Sequence, residues 1–186
     1  MSFVKVDLEK YNNEHYYPGG GPVIRFFWFI INAAVFKSYF FPFNFIKVFF
    51  LRMFGAKVGR GVTIKPCVNI KYPWFVKIGN HVWIGEEVWI DSLATIEIGD
   101  HVCLSQGAML LTGNHDYTKS SFDLVVKKIT IENGTWIGAK SVVCPGVICQ
   151  HHSVLSVSSV ATKNLEPHGI YQGNPAVKIK TREINS

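Results

Sequence analysis

Seven histidines and four cysteines are the residues of this chain best suited to chemistry, and their spacing sorts them. Cys67, Cys103, Cys144 and Cys149 form no CxxC pair, which argues against a disulfide framework and against a cysteine zinc site. They are expected to be reduced thiols filling small apolar positions. With no cleavable signal ahead of them, a cytoplasmic location is expected. His151 and His152 are adjacent, so on a short strand they would point to opposite sides. His81 and His101 recur in matching contexts, IGNHV and IGDHV. His115 differs from all of these: it stands in Gly113-Asn114-His115-Asp116, where an otherwise repetitive chain loses its rhythm. An imidazole there can exchange a proton at cellular pH, and its reach depends on the elements that hold it.

Those elements follow a six-residue period. Ile131, Ile137, Val143, Cys149, Leu155 and Ala161 share one unbroken phase. Ile78, Ile84, Ile90 and Ile96 repeat it upstream, as do Ile98, Leu104 and Leu110, and before them Val58, Ile64 and Ile70, each block offset by two. Six fits neither the 3.6 of a helix nor the alternation of a single strand. It marks a solenoid of short strands and tight corners, three hexads to a triangular coil. One apolar residue per hexad points to the axis, and its equivalents stack about 4.8 Å apart. His81 and His101 then sit on neighbouring corners facing water. From Ile98 to Ile131 is thirty-three residues, one coil of eighteen plus fifteen. Residues of about 111–128 are therefore a loop thrown out of a rigid scaffold, where function tends to sit.

At 186 residues and 48% hydrophobic, the chain can build one core plus an appendage. Its net charge of +6 favours an acidic partner: nucleic acid, an anionic membrane or a phosphorylated cofactor. Nucleic acid is disfavoured, because the basic residues cluster on an aromatic appendage and the last turn. The appendage, residues 23–54, holds eleven of the fourteen phenylalanines. No acid lies between Val23 and Lys57, whereas Arg25, Lys37, Lys47, Arg52 and Lys57 punctuate the stretch. Its longest uncharged run, Phe26 to Phe36, falls short of the roughly 20 residues that span a bilayer, and Pro42 breaks any continuous helix. Two readings follow: helices that cap the first coil, or a basic-aromatic element lying on anionic lipid. The polar segment before it, ending in Gly19 to Gly21, reads as an arm or loop.

The strings VGRGVTIKPCVN, IGNHVWIGEEVW and IENGTWIGAKSVVCPGVI, closed by GNPAVKIK, resemble the hexapeptide-repeat acyltransferases over about residues 55–182. Within that family the chain is most similar to the galactoside, maltose and serine O-acetyltransferases, and FFLRMFGAKVG, YPW and GNHD resemble the colanic-acid-type exopolysaccharide acetyltransferases. The resemblance implies an all-β solenoid, a left-handed parallel β-helix. The expected organisation is an arm and helical cap over 1–57, the β-helix over 58–165 with its loop at about 111–128, and a tail over 166–186. It further implies an acetyl-CoA-dependent O-acetyltransferase acting on a sugar hydroxyl in surface polysaccharide assembly, as a homotrimer with sites between subunits. In such enzymes a histidine at the root of the extended loop takes the hydroxyl proton, a task that suits neutral imidazole, and His115 occupies that position. By the same resemblance Trp136 and the backbone of Ala139 line the thioester end, with the Ala139 N–H as oxyanion donor. Val157, Thr162 and Lys163 fall on further cofactor positions, and Lys178 and Lys180 on those that meet nucleotide phosphates. Asp91 and Ser92 are candidates for the acceptor side. Asp116 is another, and it competes with a backbone carbonyl or a second carboxylate to orient the base. Zinc-dependent relatives of this fold carry an HxxxxH pair that this sequence lacks, so no metal is expected. Acetylation of an amino sugar, serine or an antibiotic, and a non-catalytic scaffold, stay open as alternatives. A lipid-linked oligosaccharide acceptor would give membrane contact by the aromatic segment a purpose.

Overall fold

The computed structural model describes residues 4–185; the first three residues of the expected arm and the last of the expected tail lie outside the described residues. Each hexad supplies one short strand and one turn, and the three hexads of a coil feed three sheets. Sheet A contains Lys57–Val58, Val76–Ile78, Ile96–Ile98, Ile129–Ile131 and Ile148–Cys149. Sheet B contains Thr63–Ile64, Trp83–Ile84, Cys103–Leu104, Trp136–Ile137 and Val154–Leu155, and sheet C contains Asn69–Ile70, Trp89–Asp91, Met109–Leu111, Val142–Val143 and Val160–Ala161. All these strands pair in parallel, and the register stacks the six-residue set in columns: Ile78 on Ile98 on Ile131, Ile84 on Leu104 on Ile137, Ile90 on Leu110 on Val143.

The hexad has a second inward position. Residues i and i−2 of a strand share a face, so Val62, Val68, Val82, Val88, Val102 and Ala108 are buried beside the first column. In later coils this position holds Thr135, Ser141, Ser153 and Ser159. At two of these positions a carbonyl of the next coil takes the hydroxyl: Thr135 Oγ1 donates to Gln150 O at 3.1 Å and Ser141 Oγ to Ser156 O at 2.6 Å, whereas Ser153 Oγ is buried with no partner among the described residues. The residue just before it turns the corner with positive φ, in glycines such as Gly61 and Gly134 but also in Cys67, His81, Glu87, His101, Lys140, His152 and Ser158. Side chains pay a strain there, which the ladder offsets: the N–H of His81, His101 and His152 each donates to a carbonyl of the preceding coil at 2.8 Å. His81 and His101 stack on adjacent corners with ring centroids 5.1 Å apart. His151 and His152 correct the expectation of opposite strand faces. They lie in a turn, their rings edge-on at 6.0 Å.

The excursion is a hairpin, Gly113–His115 antiparallel to Leu124–Val126. The last residues also fold back: Gly169–Gly173 joins sheet B beside Val154–Leu155, and Ala176–Thr181 pairs antiparallel with it.

At the other end, helices α1 (Pro22–Ile31) and α2 (Asn44–Met53) lie over the first coil. A parallel coil ends in a row of unpaired N–H and C=O groups, and side chains of this segment satisfy them sheet by sheet. On sheet A, Arg52 donates to Val58 O and Gly59 O. On sheet B, Asn44 Nδ2 donates to Val62 O at 2.8 Å, Asn44 Oδ1 accepts from Ile64 N at 2.7 Å, and the buried Lys47 donates to Lys65 O at 2.9 Å. On sheet C, Asn32 Oδ1 accepts from Ile70 N and Trp28 Nε1 donates to Ile70 O. Trp28, Phe36 and Leu51 complete the core at this end. Asn44→Leu leaves an edge donor and an edge acceptor unpaired, and is expected to lower stability by about 1–3 kcal/mol in urea unfolding.

Candidate active site

His115 ends the first strand of the hairpin, two residues beyond Gly113, and is partly buried. Its Nδ1 lies 2.9 Å from the carbonyl oxygen of Phe122. A carbonyl only accepts, so this bond requires the proton on Nδ1 and leaves the lone pair on Nε2. The ring is held flat against the Phe122 ring, centroids 4.5 Å apart and planes 7° from parallel, with Tyr11 at 5.9 Å. The orienting group is therefore a backbone carbonyl. Asp116 is not the orienter: its carboxylate accepts from Thr118 N and Thr118 Oγ1 in the hairpin turn, bonds that hold its pKa below the usual carboxylate range.

The hairpin root is clamped to the coil before it. Thr112 is buried, and its hydroxyl donates to Asp91 O at 2.6 Å and accepts from Ala94 N. A Cβ on Gly113 would lie 2.6 Å from Leu93 Cδ1 and 3.6 Å from Asp91 Oδ2, so the Asp91 carboxylate sits against the root of the hairpin. One oxygen of that carboxylate, Oδ1, is buried without a hydrogen bond among the described residues, 3.6 Å from Lys71 Nζ. Ser92 is not available to an acceptor. It is fully buried, and its hydroxyl both donates to Tyr72 O and accepts from Tyr72 N, bridging two coils.

The amino-terminal arm closes the other side of the hairpin, which the sequence did not indicate. Asp7 N donates to Ser120 O, His15 Nε2 bonds Leu124 O, and Tyr16 Oη donates to Leu93 O at 2.9 Å. Burial pushes the Tyr16 pKa up, which keeps the phenol a donor. The arm reaches this position by turning at Gly19 and Gly20, both at positive φ, against the Trp74 ring, whose Nε1 donates to Pro18 O.

A cavity of about 450 Å³ opens beside the imidazole, lined by His115, Asp116, Lys127, Cys144, Pro145 and Thr162 among others. A larger one, about 610 Å³, lies on the outer face of sheet A. Its central charges are paired, Glu97 with Lys77 and Lys128, and no candidate of the sequence reading faces it. The remaining cofactor candidates lie elsewhere on the solenoid. Trp136 is on the outer face of sheet B, 46% exposed, its Nε1 donating to Ser105 Oγ. Ala139 and Val157 stack on consecutive coils at the corner between sheets B and C, where the Ala139 carbonyl accepts from Ser158 N. The Ala139 N–H makes no hydrogen bond among the described residues. Lys178 and Lys180 are on the final strand, Lys178 donating to Glu166 Oε2 at 2.7 Å, and Lys163 is exposed past Thr162. Within one chain, His115 and Thr162 thus share the corner after sheet C, and Trp136, Ala139 and Val157 flank the corner before it. Among the described residues no three His, Cys, Asp or Glu side chains are grouped as a metal site needs.

No family model matches the chain. It is 33% identical over 176 residues to WcaF of Escherichia coli (strain K12), provisionally assigned as a colanic acid biosynthesis acetyltransferase, with 95% of this chain and 97% of the relative covered. It is 32% identical over 133 residues to the galactoside O-acetyltransferase of the same strain, covering 70% of this chain and 64% of the relative. Among solved structures, a galactoside acetyltransferase in complex with coenzyme A superposes with a TM-score of 0.76 at 25% identity, covering 86% of this chain and 81% of that one. The hexapeptide-repeat acetyltransferase VCA0836 of Vibrio cholerae, in complex with acetyl coenzyme A, superposes with a TM-score of 0.77 at 23% identity over 87% of this chain and 88% of that one.

Proposed function

The chain belongs to the hexapeptide-repeat acetyltransferases, with their left-handed β-helix, and from that premise we propose that it moves an acetyl group from acetyl-CoA to a sugar hydroxyl during surface polysaccharide assembly. The observation that carries the proposal is the locked tautomer of His115. With Nδ1 committed to the Phe122 carbonyl, Nε2 takes the proton of the sugar hydroxyl as its oxygen attacks the thioester carbon. The new C–O bond leaves a tetrahedral oxyanion, which accepts a hydrogen bond from the free Ala139 N–H. Collapse breaks the C–S bond, and the departing thiolate takes the proton back from the imidazolium. The cysteines take no covalent part: burial raises the pKa of Cys103, Cys144 and Cys149, which keeps the thiols protonated and unreactive.

Base and oxyanion donor flank opposite edges of sheet C, so a site built from both needs a second copy of the chain. This supports a homotrimer with one site at each of its boundaries. Trp83, 65% exposed, and Trp136 give the outer face of sheet B the apolar character of a contact surface. Trp136 lines the pantetheine arm, with Val157, Thr162 and Lys163 farther along, while Lys178 and Lys180 meet the phosphates. On the acceptor side Asp91, whose Oδ2 sits against the hairpin root, accepts a sugar hydroxyl. A cytoplasmic enzyme and an acceptor sugar carried on lipid complete the reading.

The test is thiol release from acetyl-CoA with a panel of saccharides, with mass spectrometry of the product. A base-labile ester on the sugar is the expected outcome, and an amide or no product refutes it. Trp136→Ala is expected to raise KM for acetyl-CoA about tenfold, the equivalent of about 1.4 kcal/mol of lost contact, with kcat little changed.

A further inference from the structure

The cap has an outer side that the solenoid does not use. While Trp28, Asn32, Phe36, Asn44, Lys47 and Leu51 face the first coil, other large apolar side chains of the same segment face out. Phe40 at the tip between the helices is 96% exposed, Phe45 71% and Phe29 70%, and Phe26, Phe49 and Met53 are each more than half exposed. So many large apolar side chains exposed on one short segment mark an interaction site.

Charge identifies the partner. Between His15 and Gly85 the chain has no Asp or Glu and nine Lys and Arg, whereas all thirteen acids share the rest with ten Lys and Arg. Lys37, Arg52, Lys57, Arg60 and Lys65 are exposed on the cap and the first coil beneath it. The same face of a second copy would bring like charges together. An anionic bilayer offers both a negative surface for the cations and an acyl boundary for the aromatic rings. The two helices are ten residues each, and among the described residues no helix is long and apolar enough to cross a membrane. The face can lie on a bilayer and not span it.

We propose that the outer face of the cap docks the protein on an anionic lipid bilayer. The cap closes one end of the solenoid, so the axis stands up from the membrane. His115 leaves the third coil, two coil spacings or about 10 Å beyond the first, within reach of a sugar held at headgroup level. That last point rests on the acetyl-transfer reading; the docking does not.

Flotation of the full chain tests it. Vesicles of phosphatidylcholine mixed with phosphatidylglycerol are expected to bind the protein about tenfold more tightly than phosphatidylcholine alone, with binding weakening as salt rises. Phe40→Ser combined with Phe45→Ser, both at exposed positions, is expected to lower binding about tenfold while far-UV circular dichroism and acetyl-CoA binding hold. Failure to float with anionic vesicles, or wild-type flotation by the double variant, overturns the proposal. A change of oligomeric size in the variant with flotation intact also overturns it, in favour of a second copy on this face.

Discussion

His115→Ala is expected to fold, assemble and bind acetyl-CoA as the native chain does, and to turn over about 10²–10⁴-fold more slowly, the range for loss of a positioned base. The ring adds little to the scaffold. It contacts Phe122 and Tyr11 within the hairpin and arm, and none of the inward columns depends on it. The proposed reaction draws on a single lone pair on Nε2, fixed by the bond from Nδ1 to the Phe122 carbonyl. His115→Asn sharpens the result, since an amide can keep a bond to that carbonyl and yet has no basic nitrogen. It is expected to be as slow as the alanine variant. Single-turnover assays with acetyl-CoA read the loss directly, and native turnover in either variant removes His115 from the chemistry.

Gly138→Ala is expected to damage fold and chemistry together. A Cβ there would meet Leu155 O and Val157 N at 2.7 Å and Ser156 C at 2.8 Å, all backbone atoms of the next coil. Gly138 N already donates to Leu155 O at 2.7 Å, so the coil spacing at this corner is fixed by the ladder. No flexible side chain can yield, and the methyl group must wedge two coils apart. Overpacking of this kind costs about 1–3 kcal/mol, visible as a lower urea midpoint. The next residue is Ala139, whose N–H is the assigned oxyanion donor, and a displacement of about 1 Å at a reacting centre can cost about 10² in rate. A control is at hand in Gly21→Ala, whose Cβ would meet nothing within 4 Å and which is expected to shift stability by less than about 0.5 kcal/mol. Equal behaviour of the two variants would refute the packing account.

Gly138 also shows where sequence reading stopped. The column of Ile131, Ile137 and Val143 was legible because burial demands an aliphatic residue at a fixed interval. The second inward position was masked by its chemistry: Val62 and Val88 advertise burial, but Thr135 and Ser141 do not, and only the carbonyls of the neighbouring coil explain them. The corners were harder still. Positive φ suggests glycine or asparagine, yet His101 and Lys140 adopt it under constraint from the ladder. At the site, the His115 position was readable from the broken period and the family likeness. Its orienting carbonyl on Phe122 was not, because backbone atoms leave no trace in residue type. Nor was the return of Tyr11, His15 and Tyr16 to the hairpin, since contacts so distant along the chain have no local pattern.

The way the hairpin joins the solenoid bears on how such a protein can change over time. Ile98 pairs with Ile131 as if the residues between them were absent, so the scaffold closes its third and fourth coils whether the excursion is long or short. Doubling the length of a flexible loop costs only about 0.6 kcal/mol. The hairpin turn between His115 and Phe122 can therefore be lengthened, shortened or rewritten without renegotiating the core of the solenoid.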